Sequence, residues 1–120
     1  MQSDFRVETH TAGRVTKLTL SGELDLLSSP ALEQELEHAN RSGVEVILLD
    51  LSRLEFMDST GLHVLVKAHQ RAHDAGQDFV LTKGGDQVQR LLDLTGVAEL
   101  LRIVDSPAQL LEADRARDGL

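Results

Sequence analysis

The chain has no cysteine, no tryptophan and no tyrosine, and only three phenylalanines and two prolines. Without cysteine there can be no disulfide, no thiolate nucleophile and no cysteine-ligated metal. The absence also agrees with a reducing compartment. With so few aromatic rings there is no platform on which nucleic-acid bases could stack. Positive charge is scarce too. Twelve Lys and Arg stand against twenty Asp and Glu, a formal net charge of −8. A nucleic-acid binder needs a basic footprint, and this chain has none. Long apolar runs are missing. The longest is the short stretch around Val46 to Leu49, whereas a bilayer span needs about 20 residues. The start, Met1 to Arg6, lacks a basic segment followed by an apolar one, so no signal peptide is expected. These absences together predict a soluble, cytoplasmic protein that binds neither nucleic acid nor membrane.

What remains is enough for one globular domain. The chain has 120 residues, 41% of them hydrophobic and 27% charged, within the usual range for a single folded unit. No internal repeat, low-complexity segment or linker-like shift divides it. One domain over residues 1–120 is expected, with its core over about 5–112 and a polar, fraying tail over 113–120.

Phe5 to His10 alternates apolar and polar residues, a strand pattern. Gly13 marks a turn, and a second strand from about Val15 to Ser21 completes a hairpin. Ser29 and Pro30 open a helix, Ser29 as the cap and Pro30 at the first helical position. Leu32, Leu36 and Ala39 form its apolar stripe, and Gly43 stops it. Val44 to Leu51 is almost wholly apolar, as in a central strand covered on both faces. From about Ser59 to Ala75, Leu62, Leu65, Val66, His69 and Ala72 make an apolar stripe. His63, Lys67, Gln70 and Asp74 make the wet one. Short elements follow: a strand at Phe79 to Leu81, a helix around Val88 to Leu92, a strand over Leu100 to Val104, and a helix opened by Ser106 and Pro107 and carrying Leu110 and Leu111. The order β-β-α-β-α-β-α-β-α predicts an α/β fold: a mainly parallel mixed sheet of about five strands with an N-terminal hairpin and packed helices.

The segment Phe56-Met57-Asp58-Ser59-Thr60-Gly61-Leu62 falls between the buried strand and the helix after it. Asp58 is suited to cap that helix, which places Ser59 in the first turn with its hydroxyl outward. Gly61 is a poor helix former, so something is expected to approach the backbone closely there. Two readings are open. Asp-Ser-Thr is capping chemistry alone, or Ser59 is a phosphorylation site whose phosphate sits over free amides at the positive end of the helix.

These residues carry a resemblance. The sequence resembles the anti-sigma factor antagonists, the bacterial branch of the STAS-domain family. The matching pieces are Ser21-Gly22-Glu23-Leu24-Asp25, Leu49-Asp50-Leu51-Ser52 leading into Phe56 to Leu62, and more weakly Val88 to Val97. They occur in the family's order over most of the chain. The resemblance implies a phosphorylation-controlled partner switch. Unphosphorylated, such a protein binds an anti-sigma factor, a serine kinase of the histidine-kinase-like ATPase fold, and frees a sigma factor. Phosphorylation releases it, and a metal-dependent serine phosphatase restores it. By that resemblance Ser59 is the phosphoacceptor, Asp58, Thr60 and Gly61 shape its loop, and Gly22, Glu23, Leu24 and Asp25 form a neighbouring loop. Leu62, His63 and Lys67 extend the partner surface, and Glu33 and Glu37 lie outside it. The free protein is expected to be a monomer without cofactor or metal. His63 stands where the family usually has a small residue, often Gly. It selects a particular partner, lowers activity with common kinases, or is simply a solvated helix histidine.

Other readings fare worse. A nucleophile elbow needs Gly two residues before the serine, and Met57 is there. His69 and His73 have a metal-ligand spacing but no third ligand placed by a motif. Gly84-Gly85 lacks the Lys and Ser/Thr of a P-loop. These argue against an enzyme. A receiver-like phospho-aspartate domain would use Asp50 at a strand end and Lys83 after the next strand, but Glu23 and Asp25 are separated by Leu24 and the chain opens with a hairpin. A non-switching STAS scaffold module would normally belong to a longer chain.

Overall fold

The structure, a computed structural model, describes residues 4–110. The expected tail at 113–120, and Leu111 of the last helix, lie outside the described residues. The elements run β1 (Arg6–Ala12), β2 (Val15–Leu24), α1 (Ser29–Arg41), β3 (Val46–Met57), α2 (Ser59–Asp74), β4 (Asp78–Thr82), α3 (Asp86–Leu94), α4 (Val97–Leu100) and β5 (Arg102–Val104). Residues 107–110 then begin a helical turn. The five strands form one sheet in chain order, β1-β2-β3-β4-β5. The first pair is antiparallel and the others are parallel. This is the mixed, mainly parallel α/β fold expected from the pattern of elements.

Parallel neighbours in unbroken order need right-handed crossovers that all pass over the same face. The core obeys this. Leu32 and Leu36 of α1, Leu65 and Ala72 of α2, and Val88 and Leu92 of α3 share one buried cluster with Leu18, Leu20, Ile47, Leu49 and Leu81 of the sheet. The opposite face has a smaller cluster of Val15, Val46, Leu48 and Val80, closed by Leu110. Both faces of β3 are therefore apolar at Val46 to Leu49, which accounts for its unbroken hydrophobic run.

Leu100, expected to open the last strand, instead ends α4, a short helix that was not expected, and the strand starts at Arg102. Three further boundaries differ for a local reason. Ser28, not Ser29, is the N-cap of α1, and its side chain makes no capping bond. Both hydroxyls instead secure the preceding turn. The second strand runs on to Leu24, so Gly22, Glu23 and Leu24 are strand residues and only Asp25 begins the turn. The central strand runs six residues past Leu51, so Phe56 and Met57 also belong to a strand. That extension pairs with β2 alone, through two register shifts, whereas β4 pairs only as far as Leu49. The unpaired side of Met57 is occupied by Gln87 of α3. Its side-chain amide accepts from Met57 N at 3.0 Å and donates to Met57 O at 2.9 Å, in place of a neighbouring strand.

Asp50 lies within β3, not at its end. It sits on the face opposite α1 to α3, only 8% exposed. One oxygen, Oδ1, accepts from Ser52 N (3.0 Å), Ser52 Oγ (2.7 Å) and Thr82 Oγ1 (3.0 Å). Burial, the largest single influence, pushes its carboxyl up. The bonds from the Ser52 side chain and backbone, the Thr82 hydroxyl and the nearby Lys17 charge together outweigh burial and hold it below the ordinary carboxylate value. A depressed pKa contributes stability that is complete above the unfolded-state value, about 3.9, and is lost as pH falls through the lower folded value. Asp50→Asn keeps the Oδ1 acceptor and removes the charge. It should cost about 1–2 kcal/mol at pH 6–7, and the gap to wild type should close as pH falls below about 4. Urea unfolding of both proteins from pH 7 to 2.5 checks this; a gap that widens in acid would refute it.

Candidate functional site

The site is assembled where β2 and β3 end together. Leu24 pairs with Met57, and Leu24 O accepts from Asp58 N at 3.2 Å. The chain then turns into α2. Asp58 has extended backbone angles and caps the helix: Oδ1 accepts from Thr60 N at 2.9 Å and from Gly61 N at 3.1 Å. Leu62 N donates to Asp58 O at 3.0 Å, the first bond of the helical ladder. Ser59 is the first helical residue and is exposed; Thr60 and Asp58 are half-buried.

This cap changes one expectation. The amides at the start of α2 were expected to be free for a phosphate. Those of Thr60 and Gly61 are already bonded to Asp58. A phosphate on Ser59 would meet the Asp58 carboxylate as a close neighbour of like charge, so it is favoured pointing outward.

Gly61 is explained from within the fold. A Cβ on it would lie 2.8 Å from Leu24 Cγ, 2.8 Å from Met57 Cγ and 2.9 Å from Leu24 Cδ2. Leu24 and Met57 are both fully buried. The close approach is therefore made by the ends of β2 and β3 and not by an outside molecule. Gly22 has a comparable duty at the bulge of β2. Its φ of +87° suits glycine, and a Cβ would lie 2.8 Å from the backbone of Asp4 and Phe5.

Of the residues expected at the partner surface, Glu23, His63 and Lys67 are exposed, and Gly22, Asp25, Asp58 and Thr60 are half-buried. Leu24, Gly61 and Leu62 are buried, so they support that surface from below. His63, Lys67, Gln70 and Asp74 do line the exposed stripe of α2. Glu33 is not separated from that stripe. Its Oε2 lies 3.7 Å from Lys67 Nζ across α1 and α2. Glu37 instead pairs with Arg41 within α1 at 2.7 Å.

Asp50 is buried mid-strand and bonded on its accepting oxygen, unlike an open phospho-aspartate at a strand end. Among the described residues no group of three His, Asp or Glu could hold a metal ion. The His69 ring packs against Phe79 with centroids 6.4 Å apart, and its Nδ1 is buried without a hydrogen-bond partner. Among the described residues no helix is long and apolar enough to cross a membrane.

Sequence reasoning passed over Leu26 and Leu27, which are 71% and 80% exposed in the turn after β2. The signal was available: two adjacent leucines in an otherwise polar Asp-Leu-Leu-Ser-Ser segment. It also passed over Gln87, for which no sequence signal exists, because its role depends on the unpaired edge of β3.

Comparison with known proteins agrees with this architecture. The profile of the STAS domain matches residues 6–110. An anti-sigma F factor antagonist from Paenibacillus polymyxa is 30% identical, over 92% of this chain and 94% of its own. An anti-sigma-B factor antagonist from Staphylococcus aureus is 27% identical, over 83% of this chain and 93% of its own. The crystal structure of an anti-sigma factor antagonist from Mycobacterium paratuberculosis superposes with a TM-score of 0.84 at 25% identity, covering 93% of this chain and 95% of the other. The chain belongs to the STAS-domain family, the family of these anti-sigma factor antagonists.

Proposed function

We infer that this protein is an anti-sigma factor antagonist whose binding is switched by phosphorylation of Ser59. Unphosphorylated, it holds an anti-sigma factor that is also a serine kinase of the histidine-kinase-like ATPase fold, and a sigma factor is freed to direct transcription. In the transfer, Ser59 Oγ attacks the γ-phosphorus of ATP, the bond to ADP breaks, and the hydroxyl proton leaves to a base of the kinase. A serine phosphatase hydrolyses the phosphoserine and restores the binding form. The protein acts by binding, with no catalysis of its own, as a monomer in the cytoplasm. The observation that carries this reading is the exposed Ser59 at the first position of α2, beside a cap that already occupies the next two amides.

That geometry supports a switch acting by charge and bulk. A phosphate adds about −1.5 to −2 charges at neutral pH. With Asp58 beside it, the new charge faces the partner and leaves the helix start in place. Amide chemical shifts should therefore change around Ser59 and Gly22 to Asp25 and little elsewhere. The deciding experiment incubates the chain with ATP and each purified anti-sigma serine kinase of its source organism, and maps the phosphate by mass spectrometry. Hydroxylamine-stable phosphate on Ser59 is expected. Phosphate mainly on Thr60, or a hydroxylamine-labile one on Asp50, would overturn the reading. Shift changes spread across the whole sheet would count against the local mechanism.

A further inference from the structure

The turn after β2 is built in an unusual way. Asp25 Oδ1 accepts from Leu27 N at 3.0 Å and Ser28 N at 3.1 Å, and lies 3.1 Å from Ser28 Oγ. Ser28 Oγ in turn accepts from Asp25 N at 2.9 Å and donates to Glu23 O at 2.8 Å. Ser29 closes the turn, with its N (2.9 Å) and its Oγ (2.6 Å) both donating to Asp25 O. Ser28 and Ser29 are buried, at 7% and 2% exposure. So dense a network fixes the backbone of a five-residue turn, yet the two side chains at its tip are leucines, 71% and 80% exposed. Adjacent leucines held in water on a rigid turn are a cost to the isolated protein and a gain only on contact.

We propose that Leu26 and Leu27 are the apolar anchor by which the serine-kinase anti-sigma factor grips this chain, seated in an apolar pocket of the kinase beside the place that receives Ser59. The inference rests on the partner-switch reading above and extends it to two residues outside the Ser59 turn. Position supports it: the turn begins one residue beyond Leu24, and Leu24 O holds Asp58 N. A kinase that reaches Ser59 thus has the leucines within its footprint. Charge supports it as well. The surface around Ser59 is rich in carboxylates, Glu23, Asp25 and Asp58 among them, and the chain carries −8 overall. An apolar anchor supplies affinity that does not depend on salt, and a rigid one loses little entropy on binding. Charge then remains free to act as the switch. Leu94, equally exposed at 80%, ends α3, which runs back from the end of the sheet where Ser59 lies. It makes a fair control.

The test uses the full chain and the purified, ADP-loaded anti-sigma kinase that phosphorylates Ser59. Calorimetry compares wild type with Leu26→Ala, Leu27→Ala, the double variant and Leu94→Ala. Each single change should weaken binding about tenfold and the pair about a hundredfold, the range of central apolar contacts. The loss should be the same at low and high salt. The double variant should raise KM for phosphorylation of Ser59 with kcat little changed, and should melt at the wild-type temperature. Leu94→Ala should bind as wild type does. Double-variant affinity within twofold of wild type would overturn the anchor while leaving the switch standing. So would sedimentation showing a dimer of this chain that the leucine changes dissociate. If no anti-sigma kinase of the organism binds or phosphorylates the wild-type chain, the switch reading itself falls, and the anchor with it.

Discussion

Ser59→Ala should keep the chain bound to its kinase in the presence of ATP, whereas Ser59→Asp should weaken binding by about tenfold to a hundredfold, as expected for a like charge set into a complementary interface. Ser59 is exposed and no bond of the cap depends on its hydroxyl. Asp58 makes those bonds to Thr60 N and Gly61 N. Neither substitution should disturb the fold. An aspartate in the first turn is favoured by the helix dipole, so Ser59→Asp should melt no lower than wild type. Lost affinity can then be read as an interface effect. Aspartate carries one charge where phosphoserine carries nearly two, so authentic phosphorylation should weaken binding further. The Ser59→Asp deficit should shrink with salt, unlike that of the leucine variants. Calorimetry at two salt concentrations, with and without ATP, checks all of this. A Ser59→Asp protein that binds like wild type, alongside a Ser59→Ala protein that still dissociates on adding ATP, would remove Ser59 from the switch.

Gly61→Val should be the most damaging single change near the site. The Cβ alone would come within 2.9 Å of Leu24 and Met57. Both are fully buried, and neither can swing into solvent. Gly61→Ala sets two effects against each other. Overpacking costs about 1–3 kcal/mol, and alanine returns about 0.8–1 kcal/mol of helix propensity. Overpacking should win by about 1 kcal/mol. Valine adds two methyl groups to the same gap and loses part of the propensity gain, so about 3 kcal/mol or more is expected. For a domain of this size each kcal/mol lowers Tm by roughly 4 °C. Thermal melts of the two variants measure it. A stabilised Gly61→Ala would show that the ends of β2 and β3 yield. Because Gly61 sits directly above those ends, Gly61→Val should also displace Ser59 and slow its phosphorylation beyond what the loss of folded protein explains.

The elements whose period was strong were legible from sequence. The wet stripe of α2 and the apolar run Val46 to Leu49 read correctly because each shows a single periodicity set by one or two buried faces. The apolar stripe of α2 read only in part: Leu62, Leu65 and Ala72 are buried, Val66 and His69 are half-buried, and Val64 and Ala68, not assigned to it, are buried. The second half of β3 was not legible. Ser52, Arg53 and Glu55 break the apolar run where the strand has only one neighbour. What sustains the strand there is a bulged pairing with β2 and the side chain of Gln87, and neither has a local signature. At the site, Asp58 and Ser59 were readable because a cap announces itself through residue type. The reason for Gly61 was not, since it lies in Leu24 and Met57, which chain order separates from it by different distances. The role of Ser29 was misassigned for a related cause. Serine caps helices and ties turns with the same hydroxyl, and only the position of Asp25 decides between them.

The order of the strands in the sheet matches their order in the chain, and this bears on how the protein is born. Every residue proposed for the switch, from Gly22 to Lys67, belongs to β2, α1, β3, α2 or the turns between them. None lies in β4 or β5. At roughly 5–20 residues per second of synthesis, the residues of the binding turn, helix cap and leucine pair are made seconds before the last strand. Each new strand has only to add to the free edge of the one before it, with no threading between strands already paired. The residues of the switch are thus all made before the sheet is complete, and Gln87 of α3 then braces the end of β3 on which they stand.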